Sequence, residues 1–169
     1  EVSPRQLLEV ADILGPTLSP DGRRVAFRVE RASVERNTYD TVWYVQGLDQ
    51  PLPRRVGEGG VVLRDSAGGS LPPKVVWSPD GRWIFFRARV EGRVDVWRAA
   101  ADGSGAAPVT RDKADVRDFE LAQDGRALKY SVGPTREAVA RAEQTEYDAG
   151  VLIDASIPVG QALFRSGTV

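Results

Sequence analysis

The chain has 169 residues, a formal net charge of −1 and 41% hydrophobic residues, enough for one ordinary domain core. It has no Cys, which excludes disulfides and thiolate chemistry, and no His, which excludes a Ser–His–Asp triad, a His-based metal site and a His general base within these residues. The charge balance argues against a nucleic-acid partner: the 20 Arg and 3 Lys are scattered and alternate with acids, a pattern that reads as codon bias of a GC-rich host.

Residues 3–14, SPRQLLEVADIL, predict a short helix. Ser3 suits the N-cap, Pro4 the first helical position and Gly15-Pro16 the stop. Residues 1–15 therefore read as a helical lead-in.

Next comes LSPDGRRVAFRV, from Leu18 to Val29. Pro suits the second position of a type I turn, Asp bonds its own backbone, and Gly accepts the left-handed conformation that follows. Val25, Phe27 and Val29 then alternate, which predicts a strand with one apolar face. The phrase returns as WSPDGRWIFFRA at Trp77 to Ala88 and more weakly as LAQDGRALKYSV at Leu121 to Val132. Gly22, Gly81 and Gly125 are 59 and 44 residues apart, and the second spacing is that of propeller blades. The first is stretched by about fifteen residues, which are placed in a loop from Gly57 to Pro73. Phe85 breaks the alternation of its strand, which predicts burial on both faces.

A second phrase also repeats. TYDTVWYV (38–45) and GRVDVWRA (92–99) each put Val-Trp in a short strand, followed by a turn-rich patch and another extended stretch. Trp43, Trp77 and Trp97 sit in the repeated frame and read as blade core. Each unit is strand, turn, strand, loop, strand, turn, strand, a four-stranded antiparallel meander. The expected fold is all-β: a partial β-propeller over residues 16–169, with blades at about 16–56, 74–110 and 116–169.

The repeat fails after Gly133. PTREAVARAEQTEY (134–147) predicts an inserted helix, with Thr135 at the N-cap and Gly150 beyond the end. Its apolar face is Ala138, Val139 and Ala142. Insertions in repeat folds gather on one face, often a binding face. The same stretch also reads as a solvated surface helix with ordinary i,i+4 ion pairs.

Other motifs carry no chemistry. GEGGVVLRDSAGGS (57–70) lacks the Lys-Ser/Thr of a phosphate loop, and no G-x-S-x-G elbow is present. Asp112, Asp115 and Asp118 read as a surface loop without an EF-hand frame, so no metal is expected. No cofactor is expected. No apolar run is long enough for a membrane span.

LSPDGRRVAF after a short helix, WSPDGRWIFF and VDVWRAAADGSGAAPVT together resemble the N-terminal half of the propeller of prolyl oligopeptidase-family serine peptidases, over roughly residues 5–132. TolB-like binding propellers share these repeats, so the repeats do not by themselves imply a peptidase. EYDAGVLIDASIPVGQALFRSG (146–167) resembles the corresponding segment of lasso peptide isopeptidases, a proteobacterial branch of that family. The resemblance implies a partner in the same protein: the rest of the propeller and an α/β-hydrolase domain whose Ser–Asp–His triad cleaves the isopeptide bond of a lasso peptide. It places no catalytic residue in this chain. It implies that the propeller selects the peptide substrate, and Glu143, Glu146, Tyr147 and Arg165, which flank the insertion, are the expected substrate or interdomain contacts. Helix-surface charge, or for Tyr147 a packing anchor, is the competing reading. A TolB-like non-enzymatic propeller and a general di- or tripeptidyl peptidase remain the alternatives. The start at Glu1 sets the expectation of a processed or excised chain, and with the resemblance that of a periplasmic or secreted protein, with the cytoplasm left open.

Overall fold

A computed structural model describes residues 3–8, 10–65 and 68–150. The alternating segments form three antiparallel groups of strands in chain order. The first holds β1 (Ala11–Leu18), β2 (Arg24–Ser33), β3 (Thr38–Gly47) and β4 (Arg54–Val61). The second holds β5 (Val75–Trp77), β6 (Trp83–Val90), β7 (Arg93–Ala100) and β8 (Ala106–Pro108). A short parallel bridge from β4 to β6 joins these two. The third holds β9 (Ala114–Leu121) and β10 (Leu128–Thr135). Helices α1 (Pro4–Leu8) and α2 (Arg136–Ala149) precede and follow them. This is a segment of a β-propeller, with two four-stranded blades and the first half of a third.

The repeated turn is built as its residues dictate. In the first copy the Gly22 amide donates to the Ser19 carbonyl at 2.9 Å, and Gly22 takes φ 67°. Ser19 Oγ donates to Asp21 Oδ1 at 2.5 Å and accepts from the Arg24 amide at 3.0 Å. The second copy repeats this set: Ser78 Oγ donates to Asp80 Oδ1 at 2.6 Å and accepts from the Trp83 amide at 2.9 Å. The third keeps the backbone bond, from the Gly125 amide to the Ala122 carbonyl at 2.8 Å. Ala122 has no hydroxyl, so the serine bonds of the other two turns are gone, while Asp124 Oδ1 still accepts from the Arg126 amide at 2.9 Å.

The blades stack face to face, and two separate cores fill the gaps. Between blades one and two lie Ala26, Trp43, Val45 and Val56, meeting Trp77, Ile84, Phe86 and Ala99. The Trp43 and Phe86 rings are 5.1 Å apart. Between blades two and three lie Phe85, Val96, Val116 and Phe119. The apolar run in β6 is thereby explained. Phe86 faces the first blade and Phe85 the third, because the second blade is the middle of three. Trp43 and Trp77 are buried core as expected, and Trp97 is a partly buried flank of the first core.

Three expectations are corrected. The opening helix stops at Leu8, and residues 11–14 belong to β1, paired Ala11 to Arg31 and Leu14 to Arg28. Ser3 and Gln6 form the reciprocal capping box: the Gln6 amide donates to Ser3 Oγ and the Ser3 amide to Gln6 Oε1. Pairing with ten-residue β2 outweighs the helix propensity of VADIL. Gly15, at φ 60°, sits where the β1–β2 register shifts between Leu14 and Thr17, so Gly15-Pro16 marks a bulge and not a helix stop. The loop placed at Gly57 begins only after Val61, because β4 runs through those glycines. Asp115 and Asp118 lie on β9, not in a surface loop.

Candidate substrate-binding face

The strands have two ends, and the third blade differs at one of them. In blade two the second and third strands join through Glu91-Gly92, at φ 50° and 77°, a two-residue hairpin turn. In blade one they join through the turn at residues 34–37. In blade three β10 runs instead into α2, at the end opposite the SPDG turns. The helix is capped as its sequence dictates: Thr135 Oγ1 accepts from the Ala138 amide at 3.2 Å, and the Gly150 amide donates to the Glu146 carbonyl at 2.8 Å. Ala138, Val139 and Ala142 are half-buried, and the charged side carries the Arg141–Glu137 pair at 3.0 Å.

Under α2 an open groove of about 1120 Å³ runs from the β4–β5 connection across blade two to blade three. Its lining includes five arginines: Arg64 between β4 and β5, Arg87 and Arg89 on β6, Arg117 on β9 and Arg136 at the start of α2. Among the described residues two carboxylates line it, Asp115 and Glu143. Arg136 is held in place, its Nη1 donating to Asp115 Oδ1 at 2.8 Å and its Nη2 to the Asp112 carbonyl. Asp115 also accepts from the Val94 amide at 3.2 Å, which ties blade two to the same carboxylate. Half-buried Arg87 donates to the Arg117 carbonyl, and loss of water around it lowers its pKa from the ordinary value. On the far side of β9, Lys74 Nζ donates to Asp118 Oδ1 at 2.7 Å and to the Phe119 carbonyl at 2.6 Å. The Lys74 ammonium, foremost through that bond, holds the Asp118 carboxyl below its usual range.

The expected contact residues divide. Glu143 lines the groove. Glu146 is half-buried on the same helix, one turn on, and engaged. Tyr147 is 86% exposed and does not line the groove. Arg165 lies outside the described residues. The groove arginines were not singled out in the sequence. Arg64, Arg87, Arg89, Arg117 and Arg136 span 73 positions of chain, each among acids, and only blade stacking brings them together. The carboxylates of Asp112, Asp115 and Asp118 do not converge: they accept from the Ala114 amide, Arg136 and Lys74 respectively. Among the described residues no helix is long and apolar enough to cross a membrane.

The fold and the similarities that follow define a propeller segment of the kind carried by prolyl oligopeptidase-family serine peptidases. The chain is homologous to the lasso peptide isopeptidase AtxE2 of Asticcacaulis excentricus, 32% identical over 79% of this chain and 22% of that protein. It also matches dipeptidyl-peptidase 5 of Porphyromonas endodontalis, 28% identical over 77% of this chain and 18% of that one. The chain thus spans about a fifth of the length of these relatives. Among solved structures, AtxE2 without ligand superposes with a TM-score of 0.72 at 31% identity, over 89% of this chain and 26% of that one. AtxE2 with astexin3-dC4 bound superposes at 0.65 and 28% identity, over 92% and 27%. The β-propeller domain of the Trilobed protease from Pyrococcus furiosus, at 23% identity and TM-score 0.55 over 78% of this chain and 37% of that one, shares the fold. No family model matches the chain.

Proposed function

We propose that this chain is the N-terminal propeller segment of a serine peptidase that admits a small threaded peptide and hydrolyses the isopeptide bond of a lasso peptide, with the Ser–Asp–His triad elsewhere in the protein. The similarity to AtxE2 carries this reading, because it extends from the blades through most of the chain and is accompanied by the superposition on the AtxE2 structures. The absence of His supports the division of labour: these residues shape and select, and the bond-breaking groups come from another domain. Selection by a propeller rests on groove shape and a few placed polar groups. Export to the periplasm is part of the same proposal.

The test uses the full-length protein, with a lasso peptide and with linear peptides of the same composition. Opening of the lasso ring, read as a mass gain of one water with the ring bond lost, supports the proposal. Cleavage of linear peptides alone sinks it and favours the second reading, a dipeptidyl peptidase, to which the similarity to dipeptidyl-peptidase 5 points. The 169-residue chain by itself is expected to hydrolyse no peptide ester. Cell fractionation checks the location.

A further inference from the structure

We propose that the arginine groove beneath α2 is a carboxylate-recognition subsite, in which Arg89 and Arg117 bind an acidic group of the peptide substrate. The inference rests on the peptidase reading and deepens it, since it names the chemistry of the substrate that the propeller selects.

The argument begins with charge. Among the described residues five guanidinium groups and two carboxylates line one groove, in a chain whose overall net charge is −1. Three of the five arginines are occupied. Arg136 is bound to Asp115, Arg64 donates to the Gly68 carbonyl at 2.7 Å with its guanidinium over the Tyr39 ring, and Arg87 is fixed on the β9 backbone. Arg89 and Arg117 are exposed and have no carboxylate partner among the described residues. Asp115, the groove carboxylate on β9, is already taken by Arg136 and the Val94 amide. The groove therefore carries uncompensated positive charge at two adjacent blades.

The backbone makes room for this arrangement. A Cβ on Gly133 would lie 2.9 Å from Arg117 Nε, so the guanidinium rests where a side chain would stand. Arg87, donating to the carbonyl of Arg117, holds that residue's backbone against β6. Planar guanidinium groups bind carboxylates through paired charge-assisted hydrogen bonds, and a cleft lined by one sign of charge draws in the opposite one. The groove fits a peptide carboxylate, supplied by an Asp or Glu side chain or by the C-terminus.

The test measures both binding and turnover by the full-length protein. The probes are a threaded lasso peptide with one acidic residue in its tail, the same peptide with Asn or Gln there, and each as free acid and as C-terminal amide. Wild type is expected to favour the charged form, and Arg89→Gln with Arg117→Gln to raise its Kd and KM about tenfold with kcat little changed. The preference should shrink as salt rises from 0.05 to about 0.5 M, by screening. Loss of preference only for the side-chain acid, or only for the free C-terminus, identifies the source. Equal binding of charged and neutral peptides by wild type overturns the inference. A double variant that melts several degrees lower with its peptide preference intact also overturns it, because the arginines would then hold an acid of the protein itself. Binding is read without ring opening, so a protein that prefers the acidic peptide but leaves its isopeptide bond intact would fail the peptidase reading and keep this one.

Discussion

The carbonyl oxygen of Arg89 lies 1.9 Å from where a Cβ on Gly60 would stand. Gly60 is in the left-handed region, at φ 69°, and it forms with Val61 the parallel bridge from β4 to β6. The outer strand of blade one thus touches the second strand of blade two backbone to backbone. That contact sets where Arg89 enters the groove.

Gly60→Ala is therefore expected to destabilise the protein by about 2 kcal/mol or more, from a disfavoured φ and a backbone clash together. Thermal unfolding of the full-length variant checks this. Gly22→Ala shares the positive φ but meets nothing within 4 Å, so its loss should be smaller. Equal losses would show that the clash contributes nothing.

Trp77 joins the same two blades at their inner strands. Its Nε1 donates to the Thr17 carbonyl at 3.1 Å, while its ring fills the first core. Trp77→Phe keeps most of the ring and should cost about 1 kcal/mol plus a small packing loss. Trp43→Ala, at 1% exposure, should cost about 3–5 kcal/mol. Denaturant unfolding separates the two.

Arg28 and Glu30 form a buried ion pair at 2.9 Å, with side chains 7% exposed each and Ser70 Oγ donating to Glu30. Burial lowers the pKa of Arg28 and the neighbouring Glu30 carboxylate opposes that shift. Glu30→Ala leaves a buried guanidinium uncompensated and is expected to cost about 3–5 kcal/mol. Replacing both with apolar residues of similar size should cost far less, and a double-mutant cycle measures the difference.

Asp21 and Asp80 are each held below the ordinary carboxyl value of 3.8, first by the Ser hydroxyl of the same turn and then by a backbone amide. A depressed folded pKa adds stability that is present above the unfolded value and lost as pH falls through the folded one. Melting temperature should thus decline as pH drops below about 4. Ser78→Ala removes the hydroxyl donor and should weaken that decline, leaving the turn as Ala122 leaves the third one. An unchanged acid profile in this variant would mean that the serine bond does not hold the carboxylate.

The two strand phrases were legible because their causes are local. Ser-Pro-Asp-Gly specifies a turn through φ preferences and bonds within four residues, and period-two apolar residues specify which face is buried. Even the burial of β6 on both faces was legible, in the adjacent Phe85 and Phe86. The helix of 134–147 was legible from Thr135 and Gly150. What misled was VADIL, whose local preference was overruled by β2, and the glycines of 57–60, which read as loop but serve a strand that must pass close to its neighbour.

The sequence by itself determined the blade: its turns, its strand faces, its capped insertion and the absence of His that excludes a Ser–His–Asp triad from these residues. Only the tertiary structure decided where the charges meet. Arg64, the Arg87–Arg89 pair of β6, Arg117 and Arg136 look unremarkable in the chain because strands, turns and loops separate them. Stacking the blades brings strand ends from different units to one edge, and that sums charges that no local window contains.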